Sequence, residues 1–155
     1  MGSFGGYAIT CEQTAVEGTP GEAIGVLFTA VTTRRAEVFY MSFSAGGTMA
    51  DQVQRVQCLR VTALGTEGAG VVPAPLDGAA PASTFDGAED HSIEPTYTAA
   101  TEFFDQDVHV RATPQIQLQP EGRIMLPATA SAGLGIRSFS ANYTGNAHAT
   151  VHFVE

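Results

Sequence analysis

Asp105-x-Asp107-x-His109 is the sharpest arrangement of chemistry-bearing residues in the chain, because the two-residue period of a strand puts all three side chains on one face. Two carboxylates and an imidazole form a hard-to-borderline donor set able to hold a divalent cation. A strand face opposite a core is polar by default, so a solvated outer surface would carry the same residues. A three-fold oligomer would favour the ion, since the face repeated round the axis would crowd carboxylates that a cation could neutralise. His148 and His152 also share a strand face. At ~3.3 Å per residue they stand about 13 Å apart, too far to share one metal, and they are expected to be exposed or interfacial.

Other constellations are thinner. The sequence has no Gly-x-Ser-x-Gly elbow and no cysteine beside a histidine, so it offers no activated nucleophile. It also lacks the His-x-His with a following Glu that a cupin-type jelly roll would carry. Glu94 and Glu121 flank prolines in turns, where charge is commonly solvated, and nothing singles out a carboxylate pair for glycoside chemistry. Gly65-x-x-Gly68-x-Gly70 lacks the lysine and hydroxyl residue of a phosphate loop and reads as a flexible loop. Asn142-Tyr143-Thr144 matches a glycosylation acceptor, idle without a secretory route. No catalytic residue and no cofactor is expected, and the chain reads as something other than an enzyme.

The elements that would position these residues are strands. Apolar residues fall into eight to ten short runs, mostly β-branched or aromatic, separated by Gly, Pro, Ala and Thr. Residues 1–6 hold three glycines and form an arm anchored only by Phe4. From residue 7 to 155 a single β-sandwich domain is expected, opening with strands at Tyr7–Glu12, Glu22–Thr32 and Arg34–Ser44. The third strand should place Glu37, Phe39, Met41 and Phe43 on one face and Val38, Tyr40 and Ser42 on the other. Met49, Val53, Val56 and Leu59 approximate helical spacing, but the β-branched residues of Val56–Leu64 favour a strand over about Val53–Leu64. A long loop follows at about 65–90, of a length usually functional or held by a partner. Six further strands are expected, at His91–Ala99, Glu102–Arg111, Gln115–Gln119, Arg123–Leu126, Gly133–Ala141 and Ala147–Val154. Tyr143-Thr144-Gly145-Asn146 should turn the last two into a hairpin. The fold class is therefore all-β, an antiparallel jelly-roll-like sandwich in one domain.

Composition excludes several functions. A chain of 155 residues can bury one sizeable core, roughly 70% of its unfolded surface. Its net charge of −9, with all seven basic residues arginine, argues against nucleic acid or an anionic membrane as partner. Without lysine there is no Schiff base and no Ser-Lys dyad. No signal peptide is visible and no stretch approaches the ~20 apolar residues of a membrane span, so a soluble protein made in the cytoplasm is expected. In that reducing compartment Cys11 and Cys58, both in apolar runs, should be free and buried.

Several segments in chain order resemble a family of small virion structural proteins of tailed bacteriophages. They are Thr29-Ala30-Val31-Thr32-Thr33-Arg34-Arg35-Ala36-Glu37-Val38 leading into Met41-Ser42-Phe43-Ser44, then Cys58-Leu59-Arg60-Val61-Thr62. The loop pieces Pro73-x-Pro75-Leu76-Asp77 and Ala80-Pro81-Ala82-Ser83 follow, then Ile93-Glu94-Pro95-Thr96 and Gly133-Leu134-Gly135-Ile136-Arg137. Ala149-Thr150-Val151-His152-Phe153-Val154-Glu155 completes the series, which covers most of residues 22–155 as strand and loop texture without a catalytic signature. The resemblance implies a jelly-roll-like fold and a capsid decoration, or cement, protein on the virion surface, a homotrimer whose partner is the major capsid protein. A tail or head-fibre component, or a jelly roll binding a small ligand or carbohydrate, are the competing readings. On the capsid reading, Pro73, Pro75, Leu76 and Phe85 of the long loop and Phe4 and Tyr7 of the arm supply contact surface.

Overall fold

Alternation of apolar and polar residues builds the long strands, and a computed structural model shows them as two antiparallel sheets packed face to face. It describes residues 5–16, 21–29, 31–46, 51–139 and 145–155. The strands are β1 (Gly6–Val16), β2 (Glu22–Thr29), β3 (Ala36–Gly46), β4 (Val53–Ala63), β5 (Ala69–Val71), β6 (Ala74–Pro75) and β7 (Phe85–Glu89). They continue as β8 (Thr96–Tyr97), β9 (Phe104–His109), β10 (Gln115–Gln117), β11 (Ile124–Leu126), β12 (Gly133–Ser138) and β13 (Gly145–Val154). One sheet runs β10-β3-β13-β1-β6 with β11 also on β3, and the other runs β5-β7-β2-β12-β4-β8 with β9 also on β4.

Four nested antiparallel pairs define the topology: β1 with β13, β2 with β12, β3 with β10 and β11, and β4 with β9. The chain is thus one long two-stranded ribbon whose successive pairs land in alternate sheets. That is the jelly roll, in the sandwich the alternation predicts. The ribbon closes between β4 and β9, and residues 64–103 are inserted at that closure.

The core lies between the sheets. Tyr7 stacks on Phe153 at 5.5 Å between ring centres, Phe85 meets Phe153 at 5.6 Å from the opposite sheet, and Phe43 stacks on Phe104 at 5.4 Å. Between the sheets Gly87 leaves room for a neighbour: a Cβ there would run into the Ile9 side chain. Cys11 and Cys58 are free and buried, as expected. Among the described residues no helix is long and apolar enough to cross a membrane.

Four expectations need correction. Alternation in β3 slips by one residue, so Ala36, Val38, Met41 and Phe43 face the core while Phe39 and Tyr40 are both partly exposed. A bulge opposite His152 and Phe153 inserts the extra residue. The hairpin at residues 143–146 does not form, because β12 pairs with β2 and β4 whereas β13 pairs with β1 and β3 in the other sheet. Gly145 and Asn146 belong to β13, and Tyr143 and Thr144 lie outside the described residues. Finally, the stretch read as one long loop at 65–90 carries β5, β6 and β7, and the expected strand at 91–99 shrinks to β8.

Candidate functional site

The insertion at 64–103 is the part of the chain that the jelly roll does not require, and its carboxylates and short strands clamp it to the body. On the second sheet β7 pairs with β2 and β5 pairs with β7, so the insertion extends the sheet past β2. On the first sheet β6 pairs with β1 through Ala8 and Tyr7, and the Leu76 amide donates to the Gly6 carbonyl at 2.8 Å. Beyond these strands the edge amides meet side chains instead. Glu12 N–H donates to Glu89 Oε2 at 2.7 Å, Thr14 N–H to Asp90 Oδ1 at 2.8 Å, and Ala23 N–H to Glu94 Oε2 at 2.7 Å. Free edge amides invite pairing with another chain, and these carboxylates cap them. Thr84 donates its amide to Glu155 Oε1 at 3.0 Å, where the carboxylate is buried and Arg34 lies 3.9 Å away.

The insertion also roofs part of the outer face of the second sheet. Val26, Val61 and Ala88 form a small buried cluster there, with Phe28, Leu64 and Tyr97 packed over it. Tyr97 lies across Gly135, where a Cβ would collide with its ring, and Arg137 stacks on the same ring at 4.8 Å. Among the residues the insertion leaves in solvent are large apolar ones: Val72 is 78% exposed, Ile93 63% and Leu76 56%, with Pro75 also exposed, alongside the acidic Glu67, Asp77 and Glu94. Beside Val72 runs an open groove of about 280 Å³ lined by Phe28, Glu67, Val71 and Asp86.

The sequence-predicted contact residues therefore divide. Pro75 and Leu76 lie on the surface as expected, whereas Tyr7, Pro73 and Phe85 are buried. Tyr7 cannot serve as a contact because β1 begins earlier than expected and turns its odd-numbered side chains inward; its hydroxyl donates to the Pro81 carbonyl at 3.0 Å. Phe85 opens β7 and points between the sheets. Phe4 lies outside the described residues, as do Asn142, Tyr143 and Thr144. The glycine run at 65–70 is held in place: Thr66 bridges Ile93, and the Gly68 amide donates to the Glu89 carbonyl at 3.0 Å.

Asp105, Asp107 and His109 share the outer face of β9, yet their donor atoms are directed elsewhere. Asp105 takes a two-pronged ion pair from Arg55, with Nε to Oδ1 at 2.7 Å, and a further bond from Gln57 Nε2 at 3.0 Å. The Arg111 amide donates to His109 Nδ1 at 3.2 Å, which leaves Nε2 as the protonated nitrogen facing Asp51 Oδ1 at 2.8 Å. Asp107 stands opposite Arg55 in the ladder. Among the described residues no group of three or more His, Cys, Asp or Glu side chains is placed to hold a metal. The three-residue spacing was legible; Arg55 and Gln57 arriving from β4 were not.

Electrostatics follow the same pattern. Burial pushes the Cys11 thiol up to about 12, helped by Glu89, and raises Cys58 as well, so both stay protonated and unreactive at neutral pH. Burial likewise raises Tyr97, and it lowers His91 and His152, which favours their neutral forms. Asp105 moves the other way: the Arg55 hydrogen bonds hold its carboxyl at about 2. Glu94 is raised, first by burial and then by Glu22, against the pull of the Ala23 amide. Comparison with protein-family models, with curated proteins and with solved structures finds no match.

Proposed function

We propose that this chain is a bacteriophage virion structural protein, a homotrimeric capsid decoration protein that binds the outer capsid surface and stabilises the shell. The observation that supports it best is the insertion at 64–103, clamped to the edges of both sheets while it presents Val72, Pro75, Leu76 and Ile93 to solvent. A loop held this way loses little conformational entropy on docking, so modest apolar contacts translate into affinity. Three protomers acting together multiply that affinity, since the second and third contacts become effectively intramolecular and add ~10² to 10⁴ in avidity. The major capsid protein is the partner on this reading, with neither nucleic acid nor membrane involved, and adhesion replaces catalysis.

Co-sedimentation of the purified chain with expanded and with immature capsids of the parent phage tests the proposal. Binding to expanded capsids is expected. The double substitution Val72→Ser and Leu76→Ser should weaken it at least about tenfold, because each buried aliphatic side chain contributes roughly 1.5–3 kcal/mol. A chain that ignores capsids counts against the reading, and gold labelling at the tail or at a fibre would move the protein to that part of the virion. The groove beside Phe28 favours a second reading, a small-ligand or carbohydrate-binding jelly roll. Calorimetric titration with glycans and divalent ions would support that alternative by a saturable heat.

A further inference from the structure

We infer that copies of this chain meet through the outer face of the β10-β3-β13-β1 sheet, an inference that deepens the oligomeric part of the reading above. Strand register puts the outward residues of that sheet in rows. Ala74, Ala8, His152, Tyr40 and Gln117 form one row across five strands. Thr10, Thr150, Ser42 and Gln115 form the next across four, with the Thr10 and Thr150 hydroxyls 2.9 Å apart. Neither row contains an ionisable carboxylate, lysine or arginine, in a chain of net charge −9. The acids bordering the rows are engaged: Arg123 holds Glu37 at 2.6 Å, and Asn146 Nδ2 donates to Glu12 at 3.0 Å.

Charge decides where identical acidic chains can touch. The Debye length is about 8 Å at physiological ionic strength and the two sheets pack about 10 Å apart. Acidic residues on the far sheet are therefore screened from a contact made through the first sheet. Charges within the contact face are not, and the two rows carry none. Interface cores are depleted of charged residues in the same way.

Area and anchors fit as well. Three long strands flanked by the short β6, β10 and β11 cover roughly 600 Å² at about 3.3 Å per residue and about 4.8 Å spacing, the low end of what one partner contributes to a stable complex. The charge-free rows form the centre of that area, and Glu12 and Glu37 lie at its border. Short hydroxyl and methyl side chains lose little rotamer entropy when covered. Tyr40 packs tilted against His152 at 4.7 Å between ring centres, with Phe39 edge-on to the same imidazole at 6.0 Å, which supplies an aromatic anchor of the kind that dominates interface energies. The occupant is a second copy of this chain, because a partner of opposite charge would need countercharges that this face lacks.

Thr150→Arg tests it. An uncompensated charge at the centre of the contact should weaken association on the order of a hundredfold. Because the substitution makes the chain less negative, any dissociation cannot come from overall repulsion. By light scattering the wild-type chain should show a multiple of 16.2 kDa and Thr150→Arg that mass alone, with cooperative unfolding retained. Ser42→Arg, in the same row, should do likewise and serves if Thr150→Arg fails to fold. Gln106→Arg, exposed on β9 of the other sheet, should leave the oligomer intact. A wild-type monomer overturns the inference, as do folded Thr150→Arg or Ser42→Arg chains that keep the wild-type mass. Capsid binding is read separately: an oligomer that ignores capsids sinks the proposed function and leaves this interface standing.

Discussion

The two outer faces of this sandwich are built from the same strand geometry and carry opposite chemistry. Central outward positions of β1, β13 and β3 hold threonine, serine, alanine, histidine and tyrosine, with Glu12 and Glu37 only at the border. Outward positions of β4, β9 and β12 hold Arg55, Gln57, Asp105, Asp107 and Arg137, with Arg137 stacked on Tyr97 and Phe139 and hydrogen-bonded through Nε to Gln57 at 3.0 Å. On the charged face nearly every polar group has a partner within the chain, and the insertion roofs its apolar end. On the other face the charge-free central rows stay at least partly exposed among the described residues. A sheet can thus be finished from within, by ion pairs and a folded-back loop, or from outside, by another molecule.

The largest expected effect removes the difference between the faces altogether. Phe153 lies behind His152 and Val154 on β13 and packs on Tyr7 and Phe85, so it joins the two sheets. Phe153→Ala should cost about 3–5 kcal/mol, lost contacts plus the cavity left behind, and denaturant unfolding should show it. Both faces should disappear together in one transition. Separate transitions for the two sheets would mean that the core does not couple them.

A smaller effect separates the faces again. Gly135→Ala adds one methyl under the Tyr97 ring and against Val61 on the roofed face, where nothing can give without lifting the ring; a loss of about 1–3 kcal/mol is expected. Ser42→Ala in the charge-free rows should stay within about 0.5 kcal/mol of wild type in the dissociated chain. Equal losses at the two positions would show the roof to be looser than its geometry implies.

Acid should act through the insertion. His91 is buried there, both ring nitrogens lack a hydrogen-bond partner among the described residues, and burial lowers its pKa although Asp90 pulls upward. An imidazole depressed in the fold binds its proton more readily when unfolded. Stability is therefore intact above the unfolded value near 6.5 and declines as pH falls through the window below it. Thermal unfolding followed from pH 7.5 to 5 should show that decline, and His91→Gln should remove part of it, the remainder coming from His152, which burial also lowers.

How much of this was legible depended on whether a residue's partner was local. Alternation in β13 put Ala149, Val151 and Phe153 inside with His148, Thr150 and His152 outside, because each long strand carries its own two-residue period. β4 could be separated from a helix by its β-branched residues. The short strands β5, β6 and β8 could not be seen: Ala-Gly-Val, Ala-Pro and Thr-Tyr have no run to read and become strands only by docking on an edge, the one place a strand proline such as Pro75 is tolerated. Likewise Tyr143-Thr144-Gly145-Asn146 signals a turn without saying which sheet the chain enters next. At the metal-like triplet the spacing was right and the outcome different, because Arg55 belongs to a strand about fifty positions away along the chain.

The smallest effect tests whether the charged face is held together by its ion pairs or merely decorated with them. Arg55 depresses the Asp105 carboxyl to about 2, below the ordinary value near 3.9. A depressed carboxylate stabilises the fold above the unfolded pKa, and that contribution drains away as pH falls from about 4 to about 2. Both partners are substantially exposed, so solvent screens the pair and its net worth is small. Asp105→Asn should lower the melting temperature by no more than about 2 °C at neutral pH, with the gap closing near pH 2. A much larger loss would mean that the Arg55, Gln57 and Arg137 chain acts as one network anchored at Asp105. In that case the charged face would owe its order to polar coupling rather than to the roof of Tyr97 and Leu64.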